Sequence, residues 1–446
     1  MSNINFPRKK RYLTGIDWII HALDYITKKG TGTGNTSQII LELDGAPAED
    51  EFRDCIGNLI KKYPVLHGRT SRDYNLAPYW KISFTKQRQP LPIKASYLDN
   101  TSFEADIFSI LEQTANLKFI SNQEHLFFHL IYTVNKCYLA MIFDHRLFDG
   151  RGAEAFLEIL QNEWKNKDNA FCDKDIIIPA ESAHLRQWRR KFIAGQQINR
   201  TFLKLGKNAP PRALPLQASL NNHRFRFKVI PFDKHRTDLI VENAYKKAGY
   251  LMLMPYVLAS TVWVMHRLFS KMNIKSGDYV VPVSIDMRPT DKVQQEVFFN
   301  HVSFLFFIVR TDEADHFPVL IKSIKQQLYD QIKSGLPRNF QEATLLMRIL
   351  PLPILSNIMR VYLKGQIASF SFSNVGESAY KSSNFMGKKI LNILHMPRVP
   401  VPPGLGIFFH QFQNKLNVVL SFLEGILSDE EANELIHTLE SRLGAK

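Results

Sequence analysis

The sequence predicts an α/β (α+β) protein of two lobes, and three observations indicate this class. The chain has 446 residues, enough for two large domains or about three average ones. Candidate strands and helices alternate through both halves, as expected of mixed sheets with flanking helices. Between the halves, 182–232 holds eleven Lys or Arg residues and no acidic residue, and prolines cluster at 210–215. We therefore predict three segments: an N-terminal lobe at 1–175, a basic inter-lobe linker at 176–217 and a C-terminal lobe at 218–446.

The N-terminal half begins with helical patterning and ends in two strong β runs. Apolar residues at helical spacing predict helices at 15–28, after Pro47 and around 103–115, with a strand at 39–43. The β runs 125–134 and 137–143 are separated by only two residues, which predicts a tight hairpin. A further helix with one apolar face follows at 153–164.

The C-terminal half repeats this mixture of elements. Strands are predicted at 224–230, 279–284, 302–309, 368–375, 404–412 and 416–422, and helices at 238–248 and 317–332. The last helix starts at Ser428, with Glu431 three residues on as a capping box. The segment 248–266 carries no Asp, Glu, Lys or Arg, and we interpret it as a buried core helix rather than a membrane span. No apolar core of a signal peptide follows the N-terminal basic residues.

The net charge and the cysteine content indicate which classes of partner and which cellular compartment to expect. The formal net charge is +15, which favours an anionic partner: nucleic acid, a membrane surface, a phosphate-bearing cofactor or an acidic carrier protein. The three cysteines, Cys55, Cys137 and Cys172, lack metal spacing and are too few for a disulfide framework. We therefore predict a reducing, cytoplasmic location and no metal site.

The sharpest motif is His145-Arg-Leu-Phe-Asp149-Gly150, directly after an apolar strand. A histidine at the end of a strand is fixed by its backbone and can face a channel, and its ordinary pKa suits a general base. Gly150 permits a tight turn into the next helix. The same turn directs Asp149 away from His145, so we predict that Asp149 makes a buried ion pair that holds the loop.

These residues resemble the HxxxDG motif of the chloramphenicol-acetyltransferase-like superfamily, which includes condensation domains, wax ester synthases and dihydrolipoyl acyltransferases. Condensation domains usually carry a second His before the motif, where this chain has Asp144. The run from Asp144 to Gly150 looks like the dihydrolipoyl acyltransferase version, in which the motif lies near the C-terminus. Here a second α/β half follows it, as in the monomeric enzymes whose two lobes surround a tunnel. The resemblance thus implies two such lobes and a monomer.

Two further segments extend the resemblance into the second half. The segment 282–289 looks like the family's strand end with an Arg that pairs with the motif Asp, which assigns Arg288 to Asp149. The segment 371–376 resembles a Ser-Asn-x-Gly run across the tunnel, where a hydroxyl or amide could stabilise an oxyanion. Its candidate oxyanion or tunnel residues are Ser371, Ser373, Asn374 and Gly376.

The resemblance implies direct acyl transfer from a thioester to a hydroxyl or amine acceptor, with His145 as base and no covalent intermediate. The donor would be acyl-CoA or a phosphopantetheine thioester on an acidic acyl-carrier protein, and no cofactor would be bound permanently. The acceptor would be a small molecule or a lipid. Since no carrier-protein serine motif is present, we expect an enzyme that acts outside a fused synthetase.

Other functions remain open from the sequence. One alternative is a non-catalytic, condensation-like docking protein. The stretch 182–232 interleaves basic and aromatic residues, such as Trp188 and Phe192, as nucleic-acid-binding surfaces do, but no recognition motif accompanies it, and we expect no nucleic-acid partner. The same stretch could lie at the inner face of an anionic membrane or pack on the lobes as a linker helix.

Overall fold

A computed structural model describes residues 11–82, 90–99, 104–119, 121–165, 188–206, 209–216, 224–274, 277–288 and 297–444. Its strands are β1 (Arg11–Tyr12), β2 (Thr36–Leu43), β3 (Arg69–Arg72), β4 (Pro78–Lys81), β5 (Ile93–Tyr97), β6 (Leu126–Tyr132), β7 (Cys137–Asp144), β8 (Phe225–Pro231), β9 (Tyr279–Asp286), β10 (Val302–Val309), β11 (Ser371–Glu377), β12 (Asn384–Phe385), β13 (Lys388–Pro397), β14 (Leu405–Phe412) and β15 (Lys415–Leu423). Its helices are α1 (Gly15–Thr31), α2 (Glu49–Lys62), α3 (Glu104–Ala115), α4 (Gly150–Lys165), α5 (Trp188–Gly206), α6 (Lys234–Ala248), α7 (Leu253–Lys271), α8 (Thr311–Asp315), α9 (Phe317–Lys333), α10 (Leu336–Met347), α11 (Leu352–Val361) and α12 (Asp429–Leu443).

Two six-stranded mixed sheets organise the molecule. One has the order β12-β13-β2-β7-β6-β5 and the other β10-β9-β11-β14-β15-β8. Most neighbours are antiparallel, while β5 runs parallel to β6, and β11 runs parallel to both β14 and β9. The predicted class of mixed sheets with flanking helices is confirmed, as are the β6–β7 hairpin and the Ser428–Glu431 capping box.

The two sheets do not follow the two halves of the chain. Strand β13 begins 238 residues after Gly150, yet it pairs antiparallel with β2 over Ser37–Leu43 and Ile390–Pro397. The chain therefore leaves the second sheet after β11, adds β12 and β13 to the first sheet, and returns to the second sheet at β14. The predicted segments 1–175, 176–217 and 218–446 thus divide the sequence but not the sheets.

Strand β10 faces two environments, although its sequence is almost continuously apolar. Alternate residues along it are buried and half-buried. Leu305 and Phe307 lie in the core of the second lobe, whereas Phe304 and Phe306 lie on the opposite face, against Phe340 of α10. The strand predicted at 302–309 therefore has one face in the core and the other toward the space between the lobes.

The apolar segment 248–266 falls largely in α7, and most of that helix is buried in the core of the second lobe. Among the described residues, no single helix has the length and apolar character needed to cross a membrane. One pair, α6 with α7, meets that requirement together but is bent by 90°.

The described part of the basic stretch begins with α5. This helix packs on α1 and α10 through Ala194 and Ile198, and Arg190 forms an ion pair with Glu342 of α10 at 3.2 Å. Its other face is open, since Phe192 and Leu203 are 51% and 55% exposed. Residues 166–187, with Cys172 and the first part of the predicted linker, lie outside the described residues.

Candidate active site

The loop after β7 holds His145 by its backbone. The His145 amide donates to the carbonyl of Asn35 at 3.3 Å, and the Asn300 side-chain amide donates to the His145 carbonyl at 3.1 Å. Asp17, near the start of α1, fixes Asn300 by accepting from its backbone and side-chain N–H groups at 2.9 and 3.1 Å. Three separate segments thus fix the backbone of His145 on both sides of its Cα atom.

Asp149 is fully committed to structural contacts. Asp149 occupies the N-cap position of α4, and its Oδ1 accepts a hydrogen bond from Gly152 N at 2.9 Å. The same Oδ1 accepts from Arg288 Nη2 at 2.8 Å, while Oδ2 accepts from His301 N at 2.9 Å. Burial opposes ionisation of this carboxyl, but the Arg288 charge and these hydrogen bonds keep the pKa of Asp149 below its ordinary value. Asp149 is therefore a buried anion that holds the loop, and it has no hydrogen bond to His145.

Arg288 extends this contact into a chain of charges between the lobes. Its side chain is buried, and Nη1 lies 3.3 Å from Asp286 at the end of β9. Asp286 also pairs with Arg151 at 3.2 Å, and Arg151 donates to the carbonyl of Val375 in β11 at 2.8 Å. Alternating charges therefore connect α4 of one lobe with β9 and β11 of the other.

A cavity of about 560 Å³ lies between the two sheets, and His145 is on its wall. His145 is half-buried, and its Nδ1 is buried without a hydrogen-bond partner among the described residues. Asp149, Gly150 and Arg288 also line the cavity. Much of the remaining wall is apolar and includes Ile20, Phe202, Phe304, Phe306, Phe340, Met347, Leu355, Ile358 and Leu363.

Strand β11 contributes the polar part of the opposite wall. Ser371, Ser373 and Asn374 line the cavity, and Ser373 Oγ lies 3.1 Å from Ser284 Oγ of β9. The ladder to β14 is irregular between Asn374 and Gly376, and Gly376 has φ +76°, a left-handed conformation that favours glycine. Gly376 is not among the cavity-lining residues, so its part is to shape the strand end.

Asp144, which stands where condensation domains usually carry a second histidine, does not line the cavity. It is buried, its Oδ2 accepts from the side chain of Arg146, and His125 Nδ1 lies 3.3 Å from the same oxygen. Burial opposes ionisation, but Arg146 and His125 keep the pKa of Asp144 well below the usual range. Asp144 therefore stabilises the loop from outside the cavity, and His145 is the histidine of the motif that lines the cavity.

Solved structures with the same fold put this site in context. No protein-family model matches the sequence, and no curated protein matches it. The structure resembles the trichothecene 15-O-acetyltransferase of Fusarium sporotrichioides with a TM-score of 0.70 and 12% identity, over 98% of this chain and 95% of that chain. It resembles the first condensation domain of the calcium-dependent antibiotic synthetase, bound to a substrate analogue, with a TM-score of 0.68 and 12% identity over 98% and 96%. The epimerization domain of the third module of tyrocidine synthetase B gives a TM-score of 0.65 and 13% identity over 100% and 98%.

The chain has the chloramphenicol-acetyltransferase-like fold. Each of these matches covers at least 95% of both chains, so the similarity extends over both lobes. The predicted two-lobed architecture is confirmed.

Within this chloramphenicol-acetyltransferase-like fold, the cavity has polar residues that the motif spacing did not predict. His395 of β13 and His410 of β14 line it and are hydrogen-bonded to Glu154, one turn into α4. Burial lowers the pKa of His410, and although burial opposes ionisation of Glu154, the two histidines keep the pKa of that carboxyl far below its ordinary value. The signal for these residues was slight: each histidine directly follows two apolar residues, Ile393 and Leu394 in β13 and Phe408 and Phe409 in β14.

Proposed function

We propose that the protein transfers an acyl group from a thioester donor to a hydroxyl or amine acceptor, with His145 as the general base. The observation that carries this proposal is the position of His145, fixed at the end of β7 on the wall of an inter-lobe cavity. Because Asp149 is held by Arg288 and two backbone amides, His145 is the group of the motif left free to accept a proton.

The reaction needs one proton carrier and a stabilised oxyanion. His145 accepts the proton of the acceptor hydroxyl or amine as that atom attacks the thioester carbonyl. Ser373 or Asn374 donates a hydrogen bond to the oxyanion of the tetrahedral intermediate. The intermediate then collapses, the C–S bond breaks, and His145 returns the proton to the leaving thiolate, so no covalent enzyme intermediate forms.

The cavity wall supports a lipophilic substrate. Phe304, Phe306 and Phe340 form a group of neighbouring rings on one side, with centroids 5.6 to 6.5 Å apart. An acyl chain or an apolar acceptor would remove this surface from water, which is favourable by about 25 cal/mol per Å². Acyl-CoA and an acyl-carrier protein are both anionic, and the net charge of +15 supports either donor.

A peripheral contact with an anionic membrane fits the exposed apolar residues of α11 beside helix α5. Ile358 of α11 lines the cavity and is 36% exposed, while Ile354 and Val361 on this helix are 50% and 71% exposed. Phe202 of α5 packs against Tyr362, just after α11, at a centroid distance of 5.6 Å. Apolar residues at the cavity wall, beside the basic helix α5, would give a lipid substrate a short path from the membrane.

Thiol release from a panel of acyl-CoAs and acyl-carrier proteins tests the proposal. Wild type should release thiol when a hydroxyl or amine acceptor is present, and His145→Ala should lose this activity by at least about 100-fold, the lower end for a general base. His437→Ala is the matched control, since His437 is exposed on α12, and it should keep wild-type activity. Equal release by wild type and His145→Ala would refute the catalytic assignment. Donor binding without thiol release by wild type would instead favour the non-catalytic docking function.

A further inference from the structure

Three buried side chains from three elements converge beside the motif. Glu154 lies on α4, His395 on β13 and His410 on β14, and their exposed fractions are 0%, 6% and 3%. The Nε2 atoms of both histidines lie 2.9 Å from the same oxygen, Oε1 of Glu154. A Cβ added at Gly150 would lie 3.6 Å from His395, so the cluster adjoins the loop that carries His145.

The distances suit a small divalent cation. All three candidate ligand atoms lie within 4.8 Å of one another. Nitrogen and oxygen ligands of zinc lie at about 2.0 to 2.2 Å, so neighbouring ligand atoms are about 3.0 to 3.5 Å apart. An ion could therefore enter this cluster if the side chains separate by a few tenths of an ångström.

The remaining contacts of Glu154 orient it as a metal ligand. Its Oε2 accepts from Ala379 N at 2.6 Å, which fixes the carboxylate plane and leaves Oε1 directed at the two imidazoles. No Lys or Arg among the described residues forms an ion pair with Glu154, whose ion-pair partners are the two histidines. A carboxylate buried to this extent requires a compensating positive charge, and a divalent cation would supply it.

We propose that Glu154, His395 and His410 form a zinc site with an open coordination position toward the cavity. Two imidazole nitrogens and one carboxylate oxygen are a ligand set of open zinc sites, in which the fourth position takes water or a substrate oxygen. Both histidines line the cavity, so the open position would face a hydroxyl or carbonyl oxygen of the bound molecule. Local sequence patterns do not predict this site, because the histidines follow Glu154 by 241 and 256 residues.

Metal binding can be measured without any substrate, which keeps this test independent of the acyl-transfer proposal. Wild-type protein is stripped with a chelator, dialysed against Zn²⁺ and analysed for metal content, and we expect one zinc per chain. Co²⁺ in place of Zn²⁺ should give visible absorption bands typical of nitrogen and oxygen coordination. Zn²⁺ should also raise the melting temperature by mass action.

The variants separate this site from binding elsewhere on the surface. Glu154→Gln and His410→Gln should each weaken Zn²⁺ binding at least 10-fold and remove the Co²⁺ spectrum. His145→Ala, which removes another imidazole from the same cavity, should keep the metal. The proposal is wrong if stripped wild type takes up neither ion stoichiometrically, or if both cluster variants bind as wild type does. Should a cluster variant fail to fold, the wild-type stoichiometry and Co²⁺ spectrum still decide.

Discussion

Replacing Arg288 by Met should destabilise the protein strongly while leaving its shape almost unchanged. The Arg288 side chain is 1% exposed and that of Asp149 is 4% exposed, so the variant leaves a buried carboxylate without its cation. Breaking a buried ion pair in this way costs about 3 to 5 kcal/mol. Asp149 keeps its hydrogen bonds from Gly152 and His301, which favours the lower part of that range.

The same pair predicts how the loss depends on pH. In the wild type the pKa of Asp149 is depressed, so its contribution to stability is present above the unfolded-state value of about 3.9 and is lost as pH falls through the folded pKa. In Arg288→Met, burial without the cation raises the pKa of Asp149 above the unfolded value. The stability gap between the two proteins should therefore be widest near pH 7 and should narrow on acidification as Asp149 of the variant takes up a proton.

Urea unfolding of both proteins between pH 7 and pH 5 measures this gap. Lys246→Met is the control, because the Lys246–Glu242 pair is exposed on both sides, and it should change the free energy of unfolding little at any pH. The double variant Asp149→Asn/Arg288→Met should recover part of the loss, since no buried charge remains. If Arg288→Met abolished thiol release without lowering stability, Arg288 would act on the reaction and the structural assignment would be refuted.

Three further predictions concern packing, substrate length and the membrane. A Cβ at Gly152 would lie 2.6 Å from a carbonyl oxygen, whereas one at Gly195 has open space. Thermal unfolding should therefore show Gly152→Ala destabilised by about 1 to 3 kcal/mol and Gly195→Ala stabilised by about 0.5 to 1 kcal/mol. Equal effects of the two substitutions would contradict the packing at Gly152. Phe306→Ala enlarges the cavity at its apolar wall and should shift the acyl-chain length with the highest thiol release toward longer chains. An unchanged optimal chain length would mean that the acyl chain binds elsewhere. Leu203→Ser should weaken sedimentation with phosphatidylserine vesicles, while Tyr250→Ser, at a position 75% exposed outside this surface, should not; equal binding by both variants would exclude α5 from the contact.

Local periodicity predicted most elements because they bury one face each. The hairpin of β6 and β7, the helix α9 and the capped start of α12 follow from residues adjacent in sequence. The entry of β13 into the first sheet could not be predicted in this way, since its partner β2 precedes it by about 350 residues. Strand pairing over such a distance depends on the packing of both lobes, which a local pattern does not contain.

Motif spacing identified His145 and Asp149, and both line the same cavity as Arg288. His145 and Asp149 are close in sequence, and family resemblance supplied Arg288. Glu154, His395 and His410 were missed because no two of them share an element. Their proximity arises where α4 meets β13 and β14, so it becomes visible only after the chain has folded.

The insertion of β12 and β13 into the first sheet joins the C-terminal half of the chain to the N-terminal half by backbone hydrogen bonds. The chain crosses between the sheets twice more after the basic stretch, once on each side of this strand pair. Separating the N-terminal half of the chain from the C-terminal half would break the β2–β13 ladder, whose pairing extends over seven residues of β2. Molecules should therefore enter the cavity through small movements of α5 and α11 at its wall, and a gene split at the linker should yield two unstable fragments.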